Sequence, residues 1–257
     1  MNALHTTLCL SALAFATTSA CASLPELEAT PAAKNLEQSI VACGWGRSQD
    51  CLAAGDHYVH AGGVPVDGAR ARTWYEKGCL TGSPLACVRL AQILAERADE
   101  PMAQKRAVDL FHTACEQGAA EGCLLMGVAL DVGALVDADP ERAITYYRAG
   151  LESDWPACEG GSAAACRRVA RMFMEGRGTR SDQTGAVRML EEACVYGDAE
   201  ACVQAGGYFL NGAFVTRSVR HGRELHEEAE RMLHARCEEG WFRDCHLLGR
   251  EYYVPEG

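Results

Sequence analysis

The chain carries fourteen cysteines, and twelve of them fall into six pairs with seven residues between the members: Cys43/Cys51, Cys79/Cys87, Cys115/Cys123, Cys158/Cys166, Cys194/Cys202 and Cys237/Cys245. Thiols at this density can bind metal, exchange electrons or cross-link the chain. Zinc sites and redox dithiols are both built from close C-x-x-C pairs. That spacing does not occur. Equivalent pairs repeated along a chain read as structural disulfides, which need an oxidising compartment. No cofactor is expected.

Other reactive groups were weighed in the same way. An acyl-enzyme of the penicillin-hydrolysing kind uses an activated serine in S-x-x-K. The residues three before Lys34, Lys77 and Lys105 are Pro31, Trp74 and Met102, so that motif is missing. His57 and His60 stand three apart on one expected helix, which puts two imidazoles on one side without a third ligand. His221, His226 and His234 are mixed with Glu and Arg, the pattern of a solvated helix face. No G-x-x-x-x-G-K-[ST] phosphate loop is present. No catalytic residue and no metal ligand is assigned.

The elements that must position the cysteines follow from a repeat. Successive pairs start 36 or 43 residues apart. Seven extra residues turn a helix by only ~20° away from register, so a longer helix keeps its cysteine on the same side. Small residues recur four positions after the second cysteine, at Gly55, Ala91, Gly127, Ala170, Gly206 and Gly249. Large ones recur at seven, at Tyr58, Leu94, Leu130, Phe173, Phe209 and Tyr252. Turn residues such as "HAGGVPVDG" and "MEGRGTRSDQ" separate two helices in each unit. Each cysteine pair then spans the short turn between one unit's second helix and the next unit's first. "RELHEEAERMLHARC" is expected to be one unbroken helix, whereas Pro156 in "AGLESDWPACEGG" is expected to make a kink or loop. The second unit lacks turn glycines, and the fifth has Ser218 where Asp is usual, so those turns are the least regular.

The N-terminal "LCLSALAFATTSA" is apolar and small, and it reads as an export signal even without a Lys or Arg. "TSAC" resembles a lipobox, which makes Cys21 a lipidation site and a membrane anchor; the alternative is ordinary cleavage after Ala22. The expected organisation is a signal peptide over 1–20, a linker over 21–35 and a repeat solenoid over 36–253, with about five full repeats plus capping helices. The expected location is exported: periplasmic, an outer-membrane lipoprotein, or secreted. A net charge of -11 argues against a nucleic-acid partner, which needs a basic surface.

Tyr58, Gly62, Gly63, Val64, Asp67, Ala71 and Tyr75, and again Phe173, Gly176, Gly178, Asp182 and Ala186, resemble the Sel-1-like repeat, a relative of the tetratricopeptide repeat. With a cysteine pair in every unit, the chain is similar to the bacterial cysteine-rich Hcp-like proteins. That resemblance implies an all-α, right-handed α/α solenoid stapled by disulfides. It also implies protein or peptide binding, or else β-lactamase or penicillin-binding activity, so the candidate partners include a cell-wall peptide and a β-lactam. Positions two, five and nine after the second cysteine share one helix face. They are polar in most units, including Arg89 and Gln92, but in the third they are Leu125, Val128 and Val132. With Arg168 and Arg171 beyond them, these residues form a candidate groove for an extended peptide bearing a carboxylate, unless the "ESDWP" insertion covers its centre.

Overall fold

The computed structural model describes residues 31–60, 65–97, 100–239 and 241. The expected signal peptide, Cys21, Cys245, Gly249 and Tyr252 lie outside the described residues. Those described form eleven helices and no strand: α1 (Pro31–Gly44), α2 (Ser48–Val59), α3 (Gly68–Leu80), α4 (Pro84–Ala95), α5 (Pro101–Glu116), α6 (Ala120–Val132), α7 (Pro140–Glu159), α8 (Ala163–Glu175), α9 (Gln183–Val195), α10 (Ala199–Asn211) and α11 (Val219–Glu238). Each helix packs on the next in sequence, and α2·α4 and α4·α6 also touch. That is the nearest-neighbour pattern of a solenoid. One difference from expectation is that α1 starts at Pro31, inside the stretch read as linker. Proline suits the first helical position, and Leu36 is buried against the first repeat.

The unit is closed at both ends by local chemistry. Asp67, Asp139 and Asp182 cap α3, α7 and α9 by accepting the backbone N–H three residues on. Ser218 does the same for α11, so the irregular fifth turn keeps its cap. At the other end, Gly46, Gly82, Gly118, Gly161 and Gly197 all have φ between 83° and 95°. The residue after each donates its N–H to the carbonyl five positions back: Arg47 to Ala42, Ser83 to Gly78, Ala119 to Ala114, Ser162 to Ala157 and Asp198 to Ala193. This left-handed glycine cap reverses the chain within a few residues.

The reversal brings each cysteine pair together. Cys43–Cys51, Cys79–Cys87, Cys115–Cys123, Cys158–Cys166 and Cys194–Cys202 are bonded, with Cα atoms 4.5 to 4.7 Å apart. Cys237 is disulfide-bonded too, and its expected partner Cys245 falls outside the described residues.

Inside a unit, the small position is matched to a large one on the facing helix. A Cβ built on Gly55 would lie 2.3 Å from the Tyr75 ring, and one on Gly127 would lie 2.5 Å from the Tyr147 ring. Gly206 faces His226 in the same way, at 2.2 Å. Ala91 and Ala170 occupy this position in the units whose large residue is Phe111 or Leu190.

Pro156 does not open α7 into a loop; the helix continues through it to Glu159. The carbonyl that Pro156 leaves without its helical partner belongs to Glu152, and both residues are exposed, so water can satisfy it. Two added turns also gain contacts. Ser153 Oγ donates to Gly118 O at 2.9 Å, tying the extension to the preceding turn.

Candidate binding cleft

The even-numbered helices α2, α4, α6, α8 and α10 lie side by side and form one wall. Two hollows adjoin along it. One, of about 720 Å³, lies over α2, α4 and α6; the other, of about 370 Å³, lies over α8 and α10. Arg89, Glu121 and Arg167 border both. Arg89 is on α4 and Arg167 is on α8, two units further along. Side chains that far apart in the solenoid meet only on its inward-curving side, so this is the concave face.

The first hollow holds the apolar residues expected at its centre. Leu125 and Val128 are half-buried, and Val132 is 65 % exposed at the rim. Ile93 and Leu135 extend the apolar floor. The "ESDWP" stretch does not lie over them, because it forms the last turns of α7.

The polar residues split into two groups. Arg89 donates to Glu121 at 2.5 Å and to Gln92 Oε1 at 3.0 Å, and Gln92 donates to Glu121 at 3.3 Å. Burial alone would lower the Arg89 pKa, but Glu121, Asp56 and Tyr75 together outweigh it and the net shift is upward. Arg167 pairs with Asp198 at 3.0 Å and with Glu200. Arg168, expected to receive a ligand, is instead committed to Asp154: Nε at 2.9 Å and Nη2 at 2.7 Å clamp both carboxylate oxygens. Asp154 is only 2 % exposed. Burial pushes its pKa up, and the Arg168 bonds pull against that. A bidentate clamp on a buried carboxylate is structural work, and Arg168 does it while also lining the second hollow. Arg171 is different. It is exposed, lines the second hollow, and makes no ion pair among the described residues.

Tyr75 reaches into the first hollow and donates to Asp56 at 2.7 Å. Burial raises the pKa of Asp56, against the Tyr75 bond, and burial followed by the Asp56 charge raises that of Tyr75. His57 and His60 do not converge. His57 is buried against Trp241, ring centroids 4.9 Å apart, while His60 borders the first hollow. Among the described residues, no cluster of three or more His, Cys, Asp or Glu is placed to hold a metal.

The expected face therefore gathers Arg89, Gln92, Leu125, Val128 and Val132 at one hollow and Arg168 and Arg171 at the other. Glu121, Arg167, Glu200 and Tyr208 were missed. Glu121 and Glu200 stand two residues before the second cysteine, and extending the face backwards by one 3–4 step would have reached them.

Comparisons with known proteins agree with this architecture. The Sel1 repeat matches five times, over residues 48–83, 84–118, 120–154, 163–194 and 199–232. No curated protein matches the chain. Among solved structures, c5321, a protective antigen of uropathogenic Escherichia coli with an SLR fold, is 19% identical with a TM-score of 0.40; the match covers 84% of this chain and 58% of that one. A Sel1 repeat protein from Oxalobacter formigenes is 18% identical over 76% of this chain and 78% of its own, with a TM-score of 0.43. Pseudomonas aeruginosa 5086 is 14% identical over 86% of this chain and 80% of its own, with a TM-score of 0.53. Five repeat matches spanning more than half of the sequence, on a disulfide-stapled helical solenoid, establish that the chain belongs to the Sel1 repeat family.

Proposed function

We propose that this chain is an exported, non-catalytic scaffold that holds an extended protein or peptide segment in its concave cleft. The observation that carries the reading is the convergence of Arg89 and Arg167 on one cleft whose floor is Ile93, Leu125 and Val128, with Val132 at its rim. Apolar side chains of the ligand fit that floor. Arg171, with no ion pair of its own, is placed to receive an acidic side chain or a C-terminal carboxylate. Five bonded cysteine pairs fit an oxidising, exported location. Among the described residues, no helix is long and apolar enough to cross a membrane. In this reading a lipid on Cys21 is the membrane attachment. The hydrolase alternative gains no support from the cleft, since no serine or lysine is among the residues lining either hollow.

The test is crosslinking and pull-down from intact cells with the wild type, Val132→Glu and Arg171→Glu. Both substitutions are at exposed positions and leave the helical circular dichroism unchanged. The wild type captures a partner that both variants lose; equal capture by all three refutes the reading. A cell-wall peptide as partner would show as capture of muropeptide fragments instead of protein.

A further inference from the structure

One hydrogen bond past α11 repeats a feature of the earlier turns. Trp241 N–H donates to Arg236 O at 3.0 Å, the five-back bond that Arg47, Ser83, Ala119, Ser162 and Asp198 make in their turns. Those five residues stand at the N-cap positions of the next helices, and three of them cap with a side-chain oxygen. An indole accepts no hydrogen bond, so Trp241 is a poor choice for a cap. Its ring does something else. It stacks on His57 of α2, with centroids 4.9 Å apart and planes 22° from parallel. The Arg236 guanidinium also lies over the Trp241 ring, 5.5 Å from its centroid. His57 belongs to the first repeat, and Arg236 and Trp241 follow the fifth. The contact therefore joins the first repeat to the residue that follows the fifth, across the hollow side of the described solenoid.

That contact borders the cleft. His60, Arg167, Arg236 and Trp241 line a third hollow of about 330 Å³, and His60 and Arg167 also line the first. We propose that Trp241 is a latch: its stack on His57 holds the ends of the superhelix together and closes one end of the concave cleft. A segment longer than the closed cleft enters only when the stack opens. The gating half rests on the binding function proposed above; the latch itself does not.

The experiment uses the full-length oxidised protein as wild type, Trp241→Ala and Trp241→Phe. Hydrogen exchange of residues 51–59 and the radius of gyration from small-angle scattering report the latch without any ligand. Trp241→Ala is expected to raise exchange in α2 about three- to tenfold, the factor one stacked ring pair supplies, and to enlarge the radius. Trp241→Phe restores most of the protection. Unchanged exchange and radius in Trp241→Ala overturn the proposal. The same proteins are then compared in the crosslinking capture. Greater capture by Trp241→Ala supports gating, and equal capture with a demonstrably opened α2 overturns it. Loss of the Val132→Glu and Arg171→Glu effects would instead sink the binding function and leave the latch standing.

Discussion

Replacing Arg168 and Arg171 separately by methionine distinguishes an arginine that supports the cleft from one that is offered to a ligand. Arg168 makes two charge-assisted hydrogen bonds, at 2.9 and 2.7 Å, to a carboxylate that is 2 % exposed. Removing the guanidinium loses both bonds and strands Asp154 in the interior. Breaking one side of such a pair costs roughly 3–5 kcal/mol. Asp154 limits the loss by taking up a proton, so the deficit is smaller near pH 5 than at pH 7. Deleting both partners, as Arg168→Met with Asp154→Leu, leaves no buried charge and is expected to recover most of the stability. Arg171→Met touches an exposed side chain without an ion pair and changes stability by less than ~0.5 kcal/mol. The assay is urea unfolding of the oxidised proteins at pH 7 and pH 5, followed by far-ultraviolet circular dichroism. An Arg168→Met variant as stable as the wild type, or a double variant as weak as the single one, refutes the assignment.

Three further outcomes follow from the packing and the charges. Gly127→Ala forces a Cβ to within 2.5 Å of the buried Tyr147 ring. The overpacking, about 1–3 kcal/mol, exceeds the ~1 kcal/mol gained by Ala over Gly in a helix. The urea midpoint should therefore fall, and Tyr147→Leu in the same chain should restore it, because Ala170 and Leu190 are the natural residues at these positions in the fourth unit. Asp56→Asn keeps an acceptor for the Tyr75 hydroxyl and removes a buried charge. Burial holds the folded pKa of Asp56 above the ordinary carboxylate range, so the folded form binds the extra proton and the wild type loses stability as pH rises through that window. The advantage of Asp56→Asn in unfolding free energy should thus be full at pH 7 and shrink as pH falls toward 4. Replacing Cys79 and Cys87 together by alanine opens a nine-residue loop and costs ~2.6 kcal/mol on the loop-entropy account, read as a lower thermal midpoint that reductant no longer shifts as far as in the wild type.

The local structure was legible because each feature has a local cause. Cysteine pairs at one spacing imply one turn, and the glycine before each unit's first helix supplies the positive φ which that turn requires. Asp67, Asp139 and Asp182 mark helix starts, and Ser218 does so with a different oxygen. Pro156 misled because proline within a helix usually interrupts it. Its effect depended on where the freed carbonyl pointed, and on what two extra turns would touch. In this chain they bring Ser153 onto Gly118 and Asp154 beneath Arg168. Neither contact has a sequence signature, since the partners are 35 and 14 residues apart.

The cleft shows a second limit of the same kind. Helix periodicity names the face a residue occupies, and that was enough to group Arg89, Gln92, Leu125, Val128 and Val132. Whether an arginine on that face is free depends on curvature, because curvature decides which units meet. Arg89 finds Glu121 across 32 positions, and Arg167 finds Glu200 across 33, so each is neutralised by the next unit along. Arg171 makes no ion pair among the described residues. A small rotation per unit, summed over the solenoid, then carries Trp241 back to His57. Repeat length is written in the sequence, but the rotation is set by the volumes packed between helices, Gly against Tyr in one unit and Ala against Phe or Leu in the next. Changing those volumes should therefore alter the cleft without altering any residue that lines it. The Gly127 and Tyr147 substitutions test this at a distance: if unit packing sets curvature, exchange in α2 around His57 rises in Gly127→Ala and returns when Tyr147→Leu is added.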